Sequence, residues 1–141
     1  MLKGRIMCLD LGQRRTGVAV SDMLGYTAQP VGIIESKGLQ QDIEKIKQLI
    51  KEKEVFRLVI GYPLNLDGSE GAKAKAVREQ YEKIKESVDC ETVLFDERLS
   101  TKQAERMLDM ENVGWKKRKN VVDVMAAQII LQNYLNVTDL N

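Results

Sequence analysis

Histidine is absent from this 141-residue chain. That absence removes the commonest general base, the Ser/His and Cys/His nucleophile pairs, and the His-bearing zinc sites. Any chemistry here has to run on carboxylates, Lys, Arg, Ser or Tyr. Cysteine is nearly absent too: Cys8 and Cys90 are the only two, too few for a disulfide framework, and they read as reduced thiols in or near the core. No apolar stretch approaches the length of a membrane span, and Met1 to Arg5 lacks the long apolar region of a signal peptide. The expectation is a cytoplasmic protein with no membrane partner. An excess of one charge is also missing, since 22 Lys and Arg against 21 Asp and Glu leave a net +1. No global field draws in a polyanion, so a nucleic-acid role must rest on local clusters of Lys and Arg.

What is present suits one compact domain with a real core, because 43% of the residues are hydrophobic and 30% are charged. We expect a single domain over residues 1–138 and a short polar tail at 139–141. The chain is organised around Ile6 to Gly17, IMCLDLGQRRTG. Ile6 to Leu11 is an apolar run broken only by Asp10, and turn residues follow at once, which predicts a buried central strand entering a tight loop. Gly17 to Ser21 and Thr27 to Glu35 read as two further strands joined by hairpins. Pro30, which lacks a ladder donor, marks the third as an edge or bulged strand. Leu39, Ile43, Ile46 and Ile50 repeat at helical spacing. Phe56 to Ile60 is a fourth strand, and the stripe Val77, Tyr81, Ile84, Val88 forms a second helix. Thr92 to Phe95 is a fifth strand. Ser100 with Gln103 matches a capping box that starts a helix carrying Ala104, Met107 and Leu108 inward. Met110 to Lys119 reads as a loop, and the last helix runs from about Asn120 to Leu135.

Three antiparallel hairpin strands followed by alternating helix and strand predict an α/β architecture: a five-stranded mixed sheet with helices on both faces. That order fits a ribonuclease H-like fold.

Three carboxylates stand out. Asp10 sits inside a strand with both faces covered, where an ionised carboxylate needs an ion pair, hydrogen bonds or a metal; pairing with Arg14 or Arg15 is the plain alternative. Glu97 follows the fifth strand directly, where strand ends and helix starts converge in open sheets; a loop ion pair with Arg98 is its alternative, and Asp96 competes for its role. Asp123 reads as a first-turn acid of the last helix, yet it shares a face with Ala126, Ala127, Ile130 and Tyr134. Three acids from separate elements are hard to explain as independent ion pairs. A few carboxylates suffice to hold a hard divalent cation such as Mg²⁺, which can drive phosphodiester hydrolysis without histidine. The basic residues lie beside them: Arg14, Arg15 and Arg98, then Lys116, Lys117, Arg118 and Lys119. Such residues are phosphate contacts or simply a solvated surface. Trp115 stacks on an unpaired base or pins its loop to the core. The glycines of Gly61 to Gly71 could offer backbone N–H groups to a phosphate.

Four segments together, LDLGQRRTGVAVSD, VIGYPLNLDGSEG, FDERLST and KKRKNVVDVMAAQIIL, resemble the YqgF/RuvX family of Holliday-junction-resolvase-like nucleases, linked to maturation of the small-subunit ribosomal RNA precursor. The resemblance covers nearly the whole chain, in the family's order and spacing. It implies a ribonuclease H-like fold, an acidic triad of Asp10, Glu97 and Asp123 binding Mg²⁺ or Mn²⁺, and phosphodiesterase activity on structured nucleic acid, either precursor rRNA or branched DNA. Many ribonuclease H-like enzymes carry an acid at the end of the fourth strand. This chain has Gly61-Tyr62-Pro63 there, so Glu97 would supply that charge.

The expected activity is a metal-dependent endonuclease acting on the 16S ribosomal RNA precursor, or alternatively on four-way DNA junctions. A junction substrate calls for a two-fold homodimer. Two rivals come from other classes. A nucleotide-binding phosphotransferase is suggested by the Asp-Leu-Gly and Thr16-Gly17 pattern, and a non-catalytic RNA-binding assembly factor would use only the basic surface.

Overall fold

The computed structural model describes residues 3–96 and 115–138, without the side chains of residues 115–124. Five strands and three helices are described. They are β1 (Arg5–Leu11), β2 (Arg15–Ser21), β3 (Ala28–Glu35), α1 (Leu39–Glu52), β4 (Val55–Tyr62), α2 (Ala72–Ser87), β5 (Glu91–Asp96) and α3 (Trp115–Val137). The strands form one mixed sheet in the order β3-β2-β1-β4-β5. β1 pairs antiparallel with β2, and β2 with β3; β1 to β4 and β4 to β5 are parallel. The predicted mixed five-stranded sheet is therefore present, with β1 at its centre. None of the described helices is long and apolar enough to cross a membrane.

The hairpins close for identifiable reasons. In the β1–β2 turn, a Cβ on Gly12 would lie 2.4 Å from the carbonyl oxygen of Arg15, a distance only glycine permits. The β2–β3 turn is held by the Asp22 carboxylate, whose Oδ1 accepts from the backbone N–H groups of Tyr26 at 2.8 Å and Thr27 at 3.2 Å. β3 is an edge strand, as Pro30 predicts. Its register against β2 shifts where Val18 pairs with Gly32 and Ala19 with Pro30, leaving Val31 as the extra residue of a bulge.

Alternation along β1 splits the core in two. Met7, Leu9 and Leu11 point to the side covered by α1 and α2, packing with Ile43, Ile46, Leu58, Ile60, Val77 and Ile84. Ile6 and Cys8 point to the other side, where Ala127, Ile130, Leu131, Tyr134 and Leu135 of α3 cover them. Neither Cys8 nor Cys90 is in a disulfide; burial pushes the Cys90 thiol above its ordinary range.

α3 is tied to the sheet at its C-terminal half. Gln128 donates to the Ala28 carbonyl at 3.1 Å, and Gln132 accepts from the Ala28 N–H at 3.0 Å and donates to the Tyr26 carbonyl at 3.0 Å. Tyr134 meets Phe95 edge to face, with ring centroids 5.3 Å apart. Moving from Gln128 to Gln132 thus leads toward the β2–β3 turn, so α3 points its N-terminal half the other way, toward the β1–β2 turn.

The last helix starts five residues earlier than expected. Trp115 to Lys119 is its first part rather than a loop. The run lacks apolar spacing, which is why periodicity misses it, but Lys and Arg are strong helix formers. For the same reason Asp123 is not a first-turn residue.

Candidate active site

Asp10 occupies the last but one position of β1, half-buried, on the face that α3 covers. Its antiparallel partner is Gly17. On the other flank the β1–β4 ladder runs through Leu9 and Ile60, so the next residue of β4 beside Asp10 is Gly61. The acid therefore stands between two glycines, both buried, with no side chain on either neighbouring strand at its level. A carboxylate so flanked meets no side chain from the neighbouring strands at its own level. Asp10 also interacts within the fold, so it is not an isolated charge.

Asp123 lies on α3 one turn ahead of Ala127. Ala127 is fully buried and packs in the same cluster as Cys8, two residues before Asp10. The expected stripe of Ala126, Ala127, Ile130 and Tyr134 does face the sheet, these residues being 1%, 0%, 0% and 8% exposed. Glu97 and Arg98 lie outside the described residues, as does the helix expected from Ser100. Asp96, the competitor of Glu97, closes β5 opposite Tyr62. Val93 and Phe95 pack on the α3 side and Leu94 on the α1/α2 side, so alternation sets Asp96 on the face opposite Asp10.

Arg14 is exposed and Arg15 half-buried at the β1–β2 turn. The Arg14 carbonyl accepts from the Ser36 N–H at 2.9 Å, which fastens the turn to the end of β3. Lys116, Lys117, Arg118 and Lys119 belong to the opening of α3. Among the described residues no group of three or more metal-ligating side chains comes together, because two of the three candidate acids contribute no described side chain.

The loop between β4 and α2 is built differently from the sequence expectation. Its amides are taken up internally: Asn65 N–H donates to the Ser69 carbonyl at 2.9 Å, Gly68 N–H to the Asn65 carbonyl at 2.8 Å, and Ser69 N–H to Asp67 Oδ1 at 2.9 Å. Those three amides are therefore not open to a phosphate. A clamp missed by sequence reasoning holds the loop against α2. Arg78 donates from Nε and Nη2 to the two oxygens of Glu70, at 2.8 and 3.1 Å, and the Tyr62 hydroxyl donates to the same carboxylate. The Arg78 bonds, followed by that of Tyr62, hold the Glu70 carboxyl down to about 2 from an ordinary 4.5. Tyr62 ends a strand, Glu70 lies in the loop and Arg78 sits on a helix, so no single periodicity joins them.

The family model described as "Holliday junction resolvase", RuvX, matches residues 4–137. The chain belongs to the RuvX family. Its relatives include two proteins named "Putative pre-16S rRNA nuclease". One, from Halothermothrix orenii, is 49% identical over 132 residues, covering 94% of each chain. The other, from Clostridioides difficile, is 47% identical over 136 residues, covering 96% of each. Among solved structures the chain resembles Thermus thermophilus RuvC in complex with a Holliday junction substrate, with a TM-score of 0.58, 12% identity and 93% of each chain covered. It also resembles the fowlpox virus resolvase in complex with Holliday junction DNA, with a TM-score of 0.53, 10% identity, and 94% and 97% of the two chains covered. At such identities the likeness is one of fold. The RuvX chain has the ribonuclease H-like fold of those resolvases, as its strand order predicts.

Proposed function

We propose that this RuvX-family chain is a divalent-metal-dependent endonuclease that hydrolyses phosphodiester bonds in the precursor of small-subunit ribosomal RNA, in the cytoplasm. The observation that carries the proposal is Asp10: a half-buried carboxylate between Gly17 and Gly61, on the face that α3 covers. A structural ion pair needs no such clearing, whereas a hydrated cation with a phosphate does.

Two pieces of geometry support Asp123 and Glu97 as its partners. One turn of helix advances about 5–6 Å and two strand residues about 6.6 Å. Asp123 precedes Ala127 by one turn, and Asp10 follows Cys8 by two residues. Because α3 points its N-terminal half toward the β1–β2 turn, both steps lead in the same direction from the cluster that Ala127 and Cys8 share. Asp96 lies on the opposite face, which favours Glu97, the acid that follows β5 in sequence, as the third ligand.

Three carboxylates without histidine or cysteine are a hard oxygen donor set, which fits Mg²⁺ or Mn²⁺. Asp10, Glu97 and Asp123 would hold the ion, which when bound supplies a nucleophilic water at neutral pH and neutralises charge on the phosphate. The remaining work belongs to the chain's cations. Arg14, Arg15, Arg98 and the Lys116 to Lys119 run hold substrate phosphates in register, and such contacts position the strand without reading its bases.

The test is cleavage of precursor rRNA, and of four-way DNA junctions, with Mg²⁺ or Mn²⁺. Asp10→Asn should abolish cleavage, a loss of about a thousandfold or more if several kcal/mol of charge stabilisation disappear, with little change in Tm. Undiminished cleavage by Asp10→Asn would sink the assignment. The family description favours a second substrate, the four-way DNA junction. Symmetric incision of the junction by a two-fold dimer, with precursor RNA left intact, would select it.

A further inference from the structure

A groove of about 600 Å³ runs between the β1–β2 turn and the start of α2. Leu11 and Val77, which belong to the α1/α2 core, form part of its floor. The groove therefore opens on the opposite side of the sheet from Asp10. Among the described residues its charge is one-sided: Arg14, Arg15 and Lys73 line it together with Gln13 and Gln80, and no described acidic side chain does. The other described clefts differ. The one beside β3 and α1 carries Lys45 and Glu52, and a third mixes Glu35, Asp42 and Glu44 with lysines. In a chain of net charge +1, a cleft lined by Arg14 and Lys73 with no acid among its described residues is a local excess, and such clefts concentrate anionic ligands. The backbone around it is fixed, since Gly12 is closed against Arg15 and the Arg14 carbonyl is bonded to Ser36. The wall of α2 is kept low by the exposed Ala72 and Ala76.

We propose that this groove is a second backbone subsite, holding the sugar–phosphate chain of an unpaired strand that flanks the cleaved bond. Arg14 and Lys73 contact its phosphates, and Gln13 and Gln80 its sugar oxygens. The inference rests on Asp10 being the cleavage centre. A strand that reaches both Asp10 and the groove has to pass around the β1–β2 turn from one face of the sheet to the other. Duplex nucleic acid, stiff over about 150 base pairs, cannot follow that path, so the flank is single-stranded.

The experiment measures binding by the Asp10→Asn protein of two labelled RNA hairpins, one blunt and one carrying a tail of about ten unpaired nucleotides, a length in the range of single-strand sites. The tailed hairpin should bind about tenfold tighter. Lys73→Glu, at an exposed position, should remove most of that advantage and lower the salt slope by about one. Ala76→Glu, also exposed, should do the same by placing an acid in the groove. No preference for the tail, or a preference that survives both substitutions, would overturn the subsite. If Asp10→Asn still cleaves, the cleavage centre is wrong, yet the tail preference and its loss still decide the groove by binding alone.

Discussion

The two faces of the sheet are packed by different rules. On the α1/α2 face, β1 and β4 present Met7, Leu9, Leu58 and Ile60 to Ile43, Ile46, Val77 and Ile84, all large and nearly all fully buried. On the α3 face, β1, β2 and β4 present Ile6, Cys8, Ala19 and Val59 to Ala127, Ile130, Leu131 and Tyr134, and small residues gather at the Asp10 end, where Gly17 is its partner on β2. Large aliphatics bury the most apolar area and supply most of the stability. Small residues let α3 come close to the sheet and leave the glycine-flanked Asp10 uncovered by side chains from its neighbouring strands. Both faces hold the fold, and the α3 face gives up side-chain volume around the acid that it carries.

The sharpest way to break this comparison is to change one face and read the property of the other. Asp10→Asn carries the largest effect: cleavage should fall by about a thousandfold while Tm hardly moves. Ile84→Ala, on the opposite face, should show the reverse, with a stability loss of about 2–5 kcal/mol in denaturant unfolding and an intact kcat for the protein that remains folded. A large drop in kcat for Ile84→Ala would mean that the faces are not separable. Ala127→Leu lies between them. Adding bulk under α3 should cost about 1–3 kcal/mol and also reduce cleavage, because the helix that carries Asp123 has to lift; loss of stability without loss of activity would place Asp123 outside the site.

The smallest effect belongs to the Glu70 clamp. Its carboxyl is held down to about 2 from 4.5, so the stabilisation it contributes is present above 4.5 and fades as pH falls toward 2. Glu70→Gln should therefore lower Tm slightly at neutral pH, and the difference from the unaltered protein should close below about pH 4 in acid titrations. A constant difference down to pH 2 would show that Arg78 and Tyr62 do not hold the carboxylate.

Much of the fold is legible in the residues because each face of a strand leaves its own trace. Alternation along Ile6 to Asp10 correctly separates Cys8 and Asp10 from Met7 and Leu9, and Pro30 correctly marks the bulged edge. The stripe Ala126, Ala127, Ile130, Tyr134 is equally readable, since buried positions on a helix repeat at its period. The opening of α3 is not, because Trp115 to Lys119 has no apolar repeat and its helical state follows from residue propensity and continuity with the turns after it. The Tyr62–Glu70–Arg78 clamp and the groove of Arg14 and Lys73 are invisible for another reason: their members are brought together across loops, by no fixed spacing.

The sequence by itself determined which carboxylates are candidates for the chemistry. With no histidine to share the work, a carboxylate embedded in an apolar strand and two more in matching contexts leave few alternatives. Only the tertiary structure decided which face Asp10 lies on and toward which end of the sheet α3 runs. The direction of α3 across the sheet is set by Gln128 and Gln132 on Ala28, residues about a hundred positions apart. Had the helix packed the other way round, the same stripe would bury the same alanines and carry Asp123 away from Asp10. Local periodicity records what a residue faces; long-range contacts alone record where along that face it lies.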